Sequence, residues 1–270
     1  MHIYDGMGRG SLPPVVLLHG IGASGTSFSE LALRLLPHTK RLIIPDLVGH
    51  GFSPSPKTAV SYQDTFDATA HALEAILDEP AVVFGNSLGG ANALSLSLLA
   101  PSLVRGLILS SPAGAPFSPQ ELAGVREAFD ISTREKALAF LDRIYHRTPW
   151  YARFIAHELC RIYQSKTVVE IFDSLQAGDS INLHDLQALT QPILLIWGKD
   201  ERLLPRTHLA YFRKHLPQHT LIEEPENTGH APHLESALGV AARIVTFSET
   251  HWGDMTPAPD SGQGDPVFAG

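Results

Sequence analysis

The sequence predicts an α/β fold: a mostly parallel central sheet flanked by helices. Three observations predict it. Short apolar, β-rich runs alternate with longer runs of helical period. The apolar runs are nearly continuous, as a sheet covered on both faces requires. The chain has 270 residues, 44% hydrophobic and 18% charged, enough for one large core.

The elements follow in order. PVVLL (14–18) is the first strand-like run, and SFSELALRLL (27–36) follows with Leu31, Leu35 and Leu36 on one helical face. RLIIP (41–45) precedes SYQDTFDATAHALEAILDE (61–79), where Phe66, Ala70, Leu73 and Leu77 recur at helical spacing. AVVFG (81–85), LGGANALSLSLLA (88–100) and VRGLILS (104–110) continue the alternation. It then breaks. PQELAGVREAF, REKALAFLDRIY, YARFIAHELCRIY and TVVEIFDSLQ are helical throughout and carry no strand signal. PILLIWG (192–198), HTLIEE (219–224) and SALGVAARIVTFS (236–248) resume the alternation, with right-handed crossovers expected. The expected organisation is a core of residues 1–112 and 191–250, a helical cap at 113–190, and a disordered tail at 251–270, rich in Pro, Gly and Asp.

Composition excludes several classes. Net charge is −8 and no basic stripe occurs, which argues against a nucleic-acid partner. Cys160 is the one cysteine, so no internal disulfide forms, and its helical setting reads as a small packed hydrophobe. The opening MHIYDGMGRGSLPP has no apolar signal-peptide core. No run of about eighteen apolar residues exists to span a membrane. These features lead to the expectation of a cytoplasmic monomer or homodimer acting on a small molecule.

Two motifs compete for the chemistry. After the first strand, Gly20, Gly22 and Gly25 spell G-x-G-x-x-G, and Asp46 ends a later strand where a ribose-binding acid would stand. That pattern suits a dinucleotide, or merely a tight turn. After 81–85 the chain reads Gly85-Asn86-Ser87-Leu88-Gly89, a G-x-S-x-G between strand and helix. A serine there sits on a strained turn with its hydroxyl above the sheet. The plainer alternative is that Ser87 caps the following helix. A serine hydroxyl needs a base, and the base an orienting acid. His230 follows the last strand, and Asp200 and Glu201 follow PILLIWG. Strand ends on one edge of a parallel sheet converge, so these loops can meet. His19 and His50 read as loop-structuring hydrogen bonders and His233 as a helix-start residue.

Five motifs together resemble the α/β-hydrolase superfamily, and the match spans about residues 14–248. They are HG-x-G at 19–22, D-x-x-G-H-G-x-S at 46–53, G-N-S-L-G-G at 85–90, a W-G…P stretch at 197–205, and G-H-x-P-x-x-E at 229–235. The resemblance implies the α/β-hydrolase fold, with Ser87 as nucleophile and His230 as base. It further implies an oxyanion hole made by the N–H groups of Ile21 and Leu88, with Gly20 and Gly22 keeping the first loop thin. Asp46 then belongs to the second loop and is expected to tie Gly49–Ser53 in place, and neither metal nor organic cofactor is implied. Register counted from Gly198 and Pro205 favours Glu201 as the family's acid, and Asp200 takes the role if the strand ends one residue earlier. The short N-terminus leaves the expectation of a missing edge strand.

The implied function is hydrolysis of a small, largely apolar carboxylic ester through an acyl-enzyme. The alternatives are a carbon–carbon bond hydrolase or cofactor-free lyase, and a receptor-like protein with weak turnover. Ala231-Pro232 stand where the diketone hydrolases usually carry a tryptophan. Phe117, Phe129, Phe140, Trp150, Tyr151, Phe154 and Phe172 are candidates for the pocket wall or for the packing of the inserted helices. Arg143, Arg147, Arg153 and Arg161 are candidates for a substrate carboxylate or for a solvated face.

Overall fold

The computed structural model describes residues 1–176, 178, 181 and 183–253, so the expected tail lies outside the described residues from 254 onward. Seven strands form one sheet: β1 (Ile3–Met7), β2 (Val15–Leu18), β3 (Arg41–Pro45), β4 (Ala81–Asn86), β5 (Val104–Ser110), β6 (Ile193–Ile196) and β7 (Leu221–Glu223). Their order is β1-β3-β2-β4-β5-β6-β7. All neighbours are parallel except β1, which runs antiparallel to β3.

The expectation of a lost edge strand needs correction. The short N-terminus still supplies β1, in register from Ile3 opposite Pro45 to Met7 opposite Arg41. IYDGM has too little apolar character to read as a strand alone. Pairing with β3 and the Arg41–Asp5 ion pair at 2.6 Å hold it there.

Helices α1 (Ser29–Leu35), α2 (Tyr62–Ile76) and α3 (Leu88–Leu99) connect the first strands. Then come α4 (Pro119–Phe129), α5 (Arg134–Ile144), α6 (Ala152–Tyr163), α7 (Lys166–Ser174) and α8 (Leu183–Gln187), all between β5 and β6. Helices α9 (Arg206–His215), α10 (Pro232–Glu235) and α11 (Ala237–Trp252) complete the described chain. Local chemistry sets several starts. Ser61 with Asp64, and Ser118 with Glu121, form reciprocal capping boxes at α2 and α4, and Pro119 occupies the first turn of α4. No helix among the described residues is long and apolar enough to cross a membrane.

The continuous apolar strands are explained by two covered faces. Side chains alternate along a strand. Val15, Leu17, Val82, Phe84 and Ile108 therefore pack under α1 and α11, against Leu31, Leu35, Ile244 and Phe247. Val16, Leu18, Val83, Leu107 and Leu109 face the other way, against Leu73, Leu94 and Phe212 of α2, α3 and α9. Each fully buried side chain of this size contributes about 1.5–3 kcal/mol.

The topology also locates the crevice. From β2 the chain crosses outward to β3 on one side, and β4 lies on the other side of β2. The β2–β4 junction is thus a switch point, where loops leaving the strand ends part and open a cleft. Leu18 pairs with Gly85 at that edge, so the loops beginning at His19 and Ser87 start side by side.

Candidate active site

Ser87 sits between β4 and α3 with φ +56° and ψ −118°, in the left-handed half of backbone space. A non-glycine residue adopts such a conformation only when its surroundings impose it. They do so through packing. A Cβ on Gly85 would stand 2.2 Å from the Gly89 carbonyl oxygen, and one on Gly89 would stand 2.1 Å from that of Leu18. The glycines let α3 press onto β2 and β4, and Ser87 takes up the bend. Its backbone is fully used: the N–H donates to Ser110, and the carbonyl accepts from Gly90, Ala91 and Ala113. Its hydroxyl makes no capping bond to α3, which removes the helix-cap reading. Gly89→Ala is expected to cost about 3 kcal/mol or more, since the clash is with backbone. Thermal unfolding against wild type checks this; an unchanged midpoint would contradict the close approach.

His230 follows β7 and is buried. Its Nδ1–H donates to Glu201 Oε2 at 2.7 Å. The other carboxylate oxygen of Glu201 accepts from the N–H groups of Leu203 (2.7 Å) and Leu204 (3.0 Å). Burial is the largest influence on the Glu201 carboxyl and pushes its pKa up. The charge and hydrogen bond of His230, with the Leu204 N–H, outweigh it, and the net direction is down. Glu201 is held as a carboxylate and fixes the imidazole tautomer. The remaining imidazole nitrogen, Nε2, is free for the cavity that His230 and Ser87 both line. No hydrogen bond joins the Ser87 hydroxyl to the imidazole in this structure; such contacts commonly tighten only when substrate binds.

Asp200 is turned elsewhere. Its Oδ2 accepts from His146 Nδ1 at 2.7 Å, on the α5–α6 loop. Of the two acids, Glu201 is the one that meets His230.

The loop after β2 is held by His19. The His19 ring is completely buried, its Nδ1–H donates to the Gly20 carbonyl at 2.8 Å, and its Nε2 accepts from Leu47 N–H at 3.0 Å. Gly20 C=O and Ile21 N–H belong to one planar trans peptide, so they point in opposite directions. With Ala23 N–H also drawing on the Gly20 carbonyl, the Ile21 N–H turns away from His19. Tyr163 of α6 clamps the next carbonyl, donating to Ile21 O at 3.1 Å. Among the described residues, neither Ile21 N–H nor Leu88 N–H has a hydrogen-bond partner. Both residues line the cavity at Ser87. Gly22, at φ +70°, meets the Tyr163 ring so closely that a Cβ would stand 2.5 Å from it.

Asp46 does not face the cleft as a ribose-binding acid. Its carboxylate accepts from Gly25 N–H (2.6 Å) and Phe52 N–H (2.8 Å), tying the two loops together. Three positioning residues escaped the sequence reading. Asn86 donates to the carbonyl of His230 at 2.9 Å, linking the Ser87 turn to the His230 loop. Glu235 accepts from Gly229 N–H at 2.7 Å and His146 N–H at 2.5 Å, and His146 itself is the third. The signal for Glu235 was the last position of the G-H-x-P-x-x-E motif. Nothing local marks His146.

Several buried imidazoles are held neutral. Burial, then the neighbouring His50, drives His19 down to about 3. Burial, then His230 and His19, drives His233 to about 3, and burial drives His208 to about 4. Unfolded, each takes a proton near 6.5. Between about 6.5 and 4 the unfolded chain therefore binds more protons, and stability falls as pH falls, by up to about 1.4 kcal/mol per unit per group. The stability is intact above 6.5. The melting temperature is expected to drop steeply from pH 7 to pH 5; a flat profile there would refute these environments.

Phe117, Phe129 and Phe172 line the larger of two cavities at Ser87, and Phe129 and Phe140 line the smaller. Trp150, Tyr151 and Phe154 are instead exposed. Arg143, Arg147, Arg153 and Arg161 are all exposed and line neither cavity. Among the described residues, no group of three or more His, Cys, Asp or Glu is placed to hold a metal ion.

Comparison with known proteins identifies the family. Residues 15–243 match the family model described as the alpha/beta hydrolase family. A pimeloyl-[acyl-carrier protein] methyl ester esterase of Neisseria meningitidis is 31% identical over 89% of this chain and 97% of its own length. A 2-hydroxymuconate semialdehyde hydrolase of a Pseudomonas strain is 27% identical over 71% of each chain. The crystal structure of a membrane phospholipase A superposes with a TM-score of 0.79 at 24% identity, covering 92% of this chain and 82% of that one. The chain belongs to the alpha/beta hydrolase family and is an α/β-fold serine hydrolase.

Proposed function

We propose that the protein hydrolyses a largely apolar carboxylic ester through an acyl-enzyme on Ser87. One observation carries this reading: the Ser87 hydroxyl, unused as a helix cap, lines the same cavity as an imidazole oriented by a buried glutamate. His230 takes the Ser87 proton as Oγ attacks the ester carbonyl carbon. The tetrahedral oxyanion is received by Ile21 N–H and Leu88 N–H, and Leu88 opens α3, whose dipole favours negative charge there. The carbon–oxygen bond breaks as His230 protonates the departing alcohol. Water, deprotonated by the same imidazole, then releases the acid. Glu201 stabilises the imidazolium throughout, and helices α4–α8 act as a cap that excludes water and shapes the pocket.

Support for an ester comes from the relative named as a methyl ester esterase. A relative named as a semialdehyde hydrolase keeps carbon–carbon cleavage as the second reading, against which stands Ala231-Pro232 where the diketone hydrolases usually carry a tryptophan. The test is turnover of p-nitrophenyl esters with fluorophosphonate labelling of Ser87. Ester turnover and one covalent adduct are expected. Turnover of a vinylogous diketone alone would favour the second reading. A melting shift with ligands but no turnover of either would mark a receptor.

A further inference from the structure

Two cavities meet at Ser87, and their walls differ in chemistry. The larger, about 270 Å³, has Leu88 in its wall; the smaller, about 160 Å³, has His230 and His233. Ile21, Ser87 and Phe129 belong to both, so the reacting carbonyl lies at their junction.

The larger cavity runs along α3. Leu88, Ala91, Asn92, Ser95, Leu98 and Leu99 line it. These recur at three- and four-residue steps, one face of the helix over three turns. At 1.5 Å per residue that face extends about 16 Å from the nucleophile. Small side chains at Ala91 and Ser95 leave the floor open midway, and the α4 and α7 residues Val125, Phe129, Ile171 and Phe172 roof it. Its lining is mostly apolar, so it suits a chain rather than a charged group.

Proton transfer assigns the ends. Of the ester's own atoms only the departing oxygen must face His230 Nε2 to receive its proton, so the alcohol lies in the chamber that holds His230. The acyl carbon chain must leave the junction on the other side. Resting on the ester-hydrolase reading above, we infer that the α3 channel is the acyl site and the His230 chamber the alcohol site, making the preferred substrate a medium-chain acyl ester of a smaller alcohol. At roughly 30 Å³ per small group, the channel takes about nine such groups and the alcohol chamber about five.

The experiment is a crossed panel with two variants. Ser95→Leu fills the channel floor midway, and Leu159→Trp fills the alcohol chamber from α6. Esters with acyl chains of two to twelve carbons on one alcohol, and alcohols of one to eight carbons on one acid, are compared by kcat/KM. Ser95→Leu is expected to lower the octanoyl-to-acetyl ratio at least about thirtyfold, with the alcohol ratios moving less than about threefold. Leu159→Trp is expected to do the reverse. Ala91→Val is the milder second variant where Ser95→Leu does not fold.

Exchange of the two effects, or movement of both ratios by either variant, overturns the assignment while fluorophosphonate labelling of Ser87 still supports ester hydrolysis. Unchanged ratios in all three folded variants overturn it equally. Absence of both labelling and ester turnover in the wild-type protein removes the hydrolase reading itself, and the assignment with it.

Discussion

Ser87→Ala is expected to lose at least about a thousandfold in ester kcat/KM while melting within a few degrees of wild type. The two halves of this expectation have separate causes. The hydroxyl makes no capping bond to α3, and the turn is held by backbone bonds from Ser87 N–H to Ser110 and from Gly90, Ala91 and Ala113 to the Ser87 carbonyl. Alanine keeps every one of them. What disappears is the attacking oxygen, and with it the covalent intermediate. Residual hydrolysis then comes from the N–H pair and from binding alone. Fluorophosphonate labelling should vanish in the same variant. A variant that still hydrolyses esters within tenfold of wild type would remove Ser87 from the nucleophile's place.

Much of this was legible in the sequence because it is written in local pattern. Strands β3 and β5 and helix α4 fall on the residues where apolar runs and helical period place them. The G-x-S-x-G turn was legible for a related reason: two glycines flanking one serine between strand and helix answer a steric demand, and the 2.2 Å and 2.1 Å approaches are that demand. Strand β1 was not legible, since Tyr4, Asp5 and Gly6 acquire strand geometry only from β3 beside them. The shared cavity wall was legible in part: converging strand ends bring the loops of residues 21, 87 and 230 together, whereas Phe129 stood between pocket wall and helix packing until the inserted helices were placed. At Asp46 spacing and motif give different answers: the motif at 46–53 implies an acid that ties its own loop, and the bonds from Phe52 N–H and the Ser53 hydroxyl agree with it. The dinucleotide spacing is real in the sequence, yet the carboxylate is consumed by two backbone N–H groups of neighbouring loops. Spacing could place that acid near the cleft but could not say which way it faces.

The acid is where pattern and geometry join most closely, and it yields the second large effect. Glu201→Gln is expected to lower kcat/KM by about 10³–10⁴-fold, and Asp200→Asn by less than about fivefold. Leu203 N–H and Leu204 N–H both point at one Glu201 oxygen, so a glutamine must place its carbonyl there. Its NH₂ group then faces His230 Nδ1. A donor in that position requires Nδ1 to be the acceptor, which moves the ring proton to Nε2, and Nε2 can no longer take a proton from Ser87. Rotating the amide restores the tautomer but sets the NH₂ against two backbone donors. Asparagine at 200 meets no such conflict. Its carbonyl still accepts from His146, and the site is partly open to water, where polar pairs are worth little. The two variants thus differ in mechanism as well as in size. Glu201→Gln should depress kcat and kcat/KM together, whereas Asp200→Asn should act, if at all, on the seating of the α5–α6 loop. Equal damage from the two, or greater damage from Asp200→Asn, would move the orienting role to the neighbouring residue and leave the 2.7 Å contact between Glu201 and His230 without a catalytic purpose.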